Sequence, residues 1–166
     1  MSRSIIPDIL KDAGIEDKIK YISECGGGDI SSAYKVETTN ETYFVKTNKA
    51  SFINNFNAEF AGLQHIKSTN TVLSPAPIKA AVLNKISYLI MTCLPNLRGG
   101  TAELGEHLAR MHNAGQAKQF GFPILTFCGA TELDNTMTDE PWSVWFAKHR
   151  IGYILNQIGS SRITKR

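Results

Sequence analysis

Three consecutive glycines, Gly26 to Gly28, a lysine at 46 and a glutamate at 59 are the residues whose types and spacing best support chemistry. Glycines between paired strands accept positive φ and leave no side chain above the backbone, so their amides can close over an anion such as a triphosphate. Lys46 adds a cation for anionic oxygens. Glu59 stands three residues after Phe56 and four before Leu63, on or beside an apolar helix face. An unpaired carboxylate there costs several kcal/mol or takes up a proton, and Lys46 is its natural partner if the helix lies on the sheet.

The elements that must position these residues follow from periodicity. Pro7 to Ala13 reads as a short helix stopped at Gly14. Ile19 to Glu24, Ser32 to Val36 and Thr42 to Lys46 read as strands, with the turn at Asn40 folding the third back toward the glycines. Phe52, Phe56, Leu63 and Ile66 recur at helical spacing. Ser68 to Pro77 is a loop leading to strands Ile78 to Leu83 and Ile86 to Met91, joined at Asn84-Lys85, the last placed mid-sheet and buried on both faces. The expectation is an α+β fold: an antiparallel sheet of about five strands with one main helix laid across it. After Gly99-Gly100, Leu104, Leu108 and Met111 mark a helix over Glu103 to Asn113. Phe120 to Glu140 reads as mostly loop. Trp142, Trp145, Phe146, His149 and Tyr153 mark one face of a last helix running to about Ile158, a stripe assigned to packing.

Six blocks in order carry a family resemblance: Gly-Gly-Asp-Ile-Ser-Ser-Ala-Tyr (27 to 34), Tyr-Phe-Val-Lys-Thr-Asn (43 to 48), Ala-Glu-Phe-Ala-Gly-Leu (58 to 63), Leu-Ile-Met-Thr-Cys-Leu-Pro (89 to 95), Leu-Gly-Glu-His-Leu-Ala-Arg-Met-His (104 to 112) and Trp-Phe-Ala-Lys-His-Arg-Ile-Gly (145 to 152). Together they resemble the fructosamine/ketosamine-3-kinases, especially the bacterial ones, from about Ile19 to about Gln157. The resemblance implies a protein-kinase-like small lobe with glycine loop and hinge over residues 1–95, and the helical start of a truncated second lobe over 96–166. It implies ATP as ligand, with Gly27, Gly28, Asp29 and Ile30 as the phosphate loop, Lys46 on phosphate oxygens and Glu59 holding Lys46. Met91, Thr92, Cys93 and Leu94 would border the adenine, the last three through main-chain groups expected to be free of ladder partners.

The family's activity is transfer of the ATP γ-phosphate to the sugar 3-hydroxyl of a glycated amine, a deglycation reaction with Mg2+. In the family the catalytic base and metal ligands come from a His-Gly-Asp-Leu-Trp-x-Gly-Asn stretch and a later Asp. Nothing in this sequence matches either, since His65, His107, His112 and His149 are all followed by something other than Gly-Asp. No metal ligands are assigned. The expectation is therefore a truncated member with little or no ketosamine phosphorylation of its own, its substrate being engaged only when a second lobe is supplied. Two alternatives stand beside it: a non-catalytic nucleotide-binding or interaction module, and a remnant in which Lys46 and Glu59 are only an ion pair.

Composition sets the bounds. The chain has 166 residues, 42% hydrophobic and 20% charged, enough to bury about 70% of its unfolded surface. A net charge of +3 is too weak and dispersed to point to nucleic acid. Cys25, Cys93 and Cys128 are odd in number and follow no metal-ligand spacing, which fits free thiols in a reducing cytoplasm; Cys25 abuts the glycine run, so its oxidation could couple to nucleotide binding, although an ordinary thiol is favoured. No apolar stretch is long enough for a membrane span or a signal peptide. The apolar helix faces at Leu104 to Met111 and Trp142 to Tyr153 lead to an expectation of association with itself or another polypeptide.

Overall fold

Strand alternation decides which helix covers which face of the sheet. The computed structural model describes residues 3–26, 30–95 and 100–159 and divides the chain into two compact units, Met1–Gly115 and Gln116–Arg166. In the first unit, five antiparallel strands, β1 (Ile19–Cys25), β2 (Ser32–Thr38), β3 (Thr42–Lys49), β4 (Pro77–Leu83) and β5 (Ile86–Thr92), lie in the order β1-β2-β3-β5-β4. This is the α+β arrangement expected from the sequence. β5 is an interior strand, and Ser87 to Met91 are buried, as its apolar run required.

Tyr34 and Val36 of β2, Tyr43 and Val45 of β3, and Tyr88 and Ile90 of β5 share one core with Ile6, Ile9 and Leu10 of α1 (Ile6–Asp12). Each of the three α1 side chains is at most 2% exposed, and such burial stabilises by roughly 1.5–3 kcal/mol apiece. Pro7 occupies the first turn of α1, where a missing amide costs nothing, and Gly14 ends it at φ 75°. Asp12 at its C-terminal end accepts a hydrogen bond from the buried Tyr88 hydroxyl and pairs with Lys79 at 3.0 Å, fastening the helix to β4 and β5.

The opposite face belongs to α2 (Ile53–Ser68). Phe56, 1% exposed, meets Leu89 and Met91, with Phe44, Phe52, Phe60 and Leu63 around them. Asn84 and Lys85, at φ 49° and 66°, form the two-residue turn of the β4–β5 hairpin. The β2–β3 turn is tied down by Asp17, which accepts from Thr38, from the Asn40 amide at 2.5 Å and from the Tyr43 hydroxyl. Beyond the sheet, α3 (Thr101–Ala114) leaves Leu104 and Leu108 largely exposed.

In the second unit the segment expected to be loop contains a short hairpin, β6 (Thr126–Cys128) with β7 (Thr131–Leu133), and a bridge between Phe120 and Thr138. Strands of three residues are too short for alternation to register in sequence. The helix that follows runs as α4 (Trp142–Phe146), a π-helical turn Ala147–Gly152 and α5 (Tyr153–Ile158). Its aromatic stripe is only partly core: Trp145 and His149 are buried, whereas Trp142 and Phe146 are 53% and 42% exposed. Trp145 donates to the Thr136 carbonyl at 2.8 Å, and His149 Nδ1 lies 2.5 Å from Asp134. Arg150 stacks on Trp145, 4.6 Å from the ring centre, and bonds Asn135 at 2.6 Å. Among the described residues no helix is long and apolar enough to cross a membrane.

Candidate nucleotide-binding site

Lys46 shares its face of β3 with Phe44, which packs in the cluster under α2. α2 presents Phe56, Phe60 and Leu63 to the sheet at helical spacing, and Glu59 sits within that stripe. Lys46 Nζ donates to both Glu59 oxygens, at 2.9 and 2.7 Å. The two side chains are 29% and 35% exposed, so the pair is half-solvated rather than sealed in the core. At such exposure the attraction is worth about 1 kcal/mol or less, well under the penalty assumed for a deeply buried acid. What the contact supplies is placement: it holds a long flexible ammonium over one spot of the sheet.

Register puts the end of β1, where Gly26 follows, in the sheet row that holds Lys46. Cys25 at the end of β1 pairs with Ala33, Ala33 with Lys46, and Lys46 with Leu89, so one row across the sheet runs from the lysine to the residue at which the glycines begin. Ala33 keeps the intervening position small. Gly27, Gly28 and Asp29 lie outside the described residues. Ile30 is half-exposed, and its carbonyl accepts from Asn48 at 2.8 Å.

On the same sheet face a groove of about 950 Å³ opens between the ends of β1 to β3 and the segment after β5, with Cys25, Lys35, Phe44, Cys93, Leu94 and Pro95 among its walls. The structure thus brings Cys93 and Leu94 to a groove. Met91 does not line it: its side chain is 4% exposed and packs with Phe56 and Leu89. The expectation that the backbone after β5 lacks ladder partners also needs correction. The Thr92 amide donates to the Ala76 carbonyl and the Cys93 amide to the Thr42 carbonyl, both at 2.9 Å, because the chain approaching β4 and the start of β3 extend past the regular ladder. The Ala76 amide, however, donates at 2.8 Å to Thr92 Oγ1, which takes that donor away from the Thr92 carbonyl.

Lys35, across the ladder from Phe44, pairs with Glu37 at 2.7 Å, and that carboxylate holds the ammonium above its usual range. Sequence reasoning passed over Lys35, Phe44 and Asn48. The signal was present in part, since residues two apart on a strand share a face and Phe44, Lys46 and Asn48 follow that rule. Among the described residues no group of three or more His, Cys, Asp or Glu side chains is placed to hold a metal.

Comparison with known proteins bears on this geometry. The fructosamine kinase family matches residues 1–165. A chloroplastic protein-ribulosamine 3-kinase of Arabidopsis thaliana is 35% identical over all of this chain and 53% of its own length. A Synechocystis protein bearing a ketoamine kinase name is 34% identical over 92% of this chain and 52% of its own. A crystal structure from Haemophilus somnus 129PT, bearing a fructosamine-3-kinase name, superposes with a TM-score of 0.78 at 22% identity, covering 93% of this chain and 54% of that one. The sequence matches place this chain among proteins that bear kinase names. It belongs to the fructosamine kinase family. It spans about half the length of the curated relatives it matches.

Proposed function

We propose that this chain forms the ATP-binding part of a ketosamine kinase. The observation that carries the reading is the two-point hold of Glu59 on Lys46, in the sheet row at which the glycine run begins. When bound, ATP supplies the γ-phosphoryl group, and the acceptor is the sugar 3-hydroxyl of a glycated amine, with Mg2+ neutralising phosphate charge.

The chain's own residues have separable tasks in this reading. Lys46 offers its ammonium to phosphate oxygens, and Glu59 keeps it aimed across the sheet. Ala33 leaves room beside the lysine, and Gly27, Gly28, Asp29 and Ile30 close over the phosphates. In the groove, Phe44 gives a flat apolar wall for a base. The Leu94 amide and the Thr92 carbonyl serve as donor and acceptor for its edge, since the Thr92 and Cys93 amides are already engaged. Residues 1–95 then act as the small lobe with 92–95 as its hinge, and 96–166 as the start of the helical lobe. Three free cysteines accord with the cytoplasmic setting we propose.

Thermal melting with and without Mg-ATP tests this. The parent chain should gain stability with nucleotide, and Lys46→Met should gain none. No shift in the parent would leave Lys46 and Glu59 as a plain ion pair. A shift without phosphorylation of a fructosamine would support binding and leave catalysis to residues outside this chain.

A further inference from the structure

Asn48 lies two residues beyond Lys46 on β3, on the same face, and is only 8% exposed. A buried primary amide is costly unless its hydrogen-bonding capacity is used. Asn48 spends both donors outward. Its Nδ2 donates to the Ile30 carbonyl at 2.8 Å and to Ser31 Oγ at 3.0 Å, while its Oδ1 accepts the Lys49 amide at 2.8 Å. Ile30 and Ser31 follow the glycine run directly. The β2–β3 ladder begins at Ser32 opposite Thr47, so ladder bonds alone leave Ile30 and Ser31 beyond the sheet. Asn48 extends the attachment past that limit through two atoms on consecutive residues.

The geometry points to Asn48 as a positioning residue for the phosphates of a bound nucleotide: it sets the end of the glycine segment at a fixed place beside Lys46. The inference rests on the nucleotide-binding reading above. One strand then carries both parts of the phosphate site, the cation at 46 and, at 48, the anchor of Ile30 and Ser31. Their separation is a property of β3 rather than of a flexible loop. A neutral side chain suits the task, because two donors are needed toward Ile30 and Ser31. A carboxylate there would face the Ile30 carbonyl and add negative charge near the phosphates.

The test compares Mg-ATP and adenosine binding by calorimetry in the full chain and in Asn48→Ala and Asn48→Asp, with amide hydrogen exchange over residues 30–32. For Asn48→Ala, Mg-ATP affinity should fall about tenfold, the scale of one or two lost hydrogen bonds. Adenosine affinity should stay within about twofold, and exchange at Ile30 and Ser31 should rise even without ligand. Asn48→Asp keeps the volume and should show the same ATP-selective loss if the alanine variant fails to fold. Equal loss of ATP and adenosine would make Asn48 a general structural residue and overturn the inference. So would unchanged ATP affinity despite faster exchange. A parent chain that binds neither ligand removes the nucleotide reading itself, and the proposed phosphate role goes with it. A parent that binds ATP while the variants retain the parental ATP-to-adenosine ratio removes the role of Asn48 alone.

Discussion

Lys46 on strand β3 and Glu59 on helix α2 meet through two hydrogen bonds, 2.9 and 2.7 Å, from one ammonium to both oxygens of one carboxylate. Because both side chains are about one-third exposed, breaking the pair should cost about 1 kcal/mol or less in stability. Lys46→Met should therefore melt close to the parent yet lose the Mg-ATP-induced shift. Glu59→Gln should retain a reduced shift, since the cation remains but is held by one neutral acceptor in place of two charged oxygens. A Lys46→Met chain that gained as much from Mg-ATP as its parent would remove the lysine from the site.

The placement of Glu59 depends on the residue three positions before it. Phe56 is 1% exposed, packs on Leu89 and Met91, and meets Phe52 edge to face with ring centres 5.3 Å apart. Phe56→Ala should cost about 3–5 kcal/mol in urea unfolding, and Phe56→Leu much less. At temperatures where the alanine variant is still folded, its Mg-ATP-induced shift should be smaller than the parent's. α2 would be held less firmly against the strand that carries Lys46.

Thr92 makes a hydroxyl serve in place of a carbonyl. The Ala76 amide donates to its Oγ1 at 2.8 Å. Valine has nearly the same shape but no acceptor, so in Thr92→Val the Ala76 amide must turn to the backbone carbonyl or go unpaired, the latter costing about 1–3 kcal/mol. Thr92→Val should melt lower and bind both ATP and adenosine more weakly. Thr92→Ser should behave as the parent in both assays.

In the second unit, burial pushes the Asp134 carboxyl up, but hydrogen bonds from His149 and from the hydroxyl and amide of Thr136 outweigh it and hold the group at about 2, below its ordinary 3.8. A carboxyl lowered by folding adds stability that is fully present above its unfolded value and disappears as pH falls through the folded one. The parent should therefore lose stability between about pH 4 and pH 2. Asp134→Asn should start lower and show a flatter profile over that window. Urea midpoints at pH 2, 3, 4 and 7 would measure it, and parallel profiles would place the acid sensitivity elsewhere.

The residues of the proposed site were legible because the patterns that expose them are local. Strand alternation put Lys46 on one face of β3, helical spacing put Glu59 within the apolar stripe of α2, and the glycine run marked where β1 leaves the sheet; no distant contact was needed for any of these. The five strands and the main helix followed from the same two periods. Period says which side a residue faces and nothing about which of its polar atoms are already engaged. That decision was tertiary. Whether the Thr92 and Cys93 amides were free depended on Ala76 and Thr42, and the role of Asn48 depended on Ile30 and Ser31 arriving past the end of a ladder. Trp145 and His149 were buried in preference to Trp142 because Asp134 and Thr136, brought round by a hairpin too short to read in sequence, offered partners to those two rings.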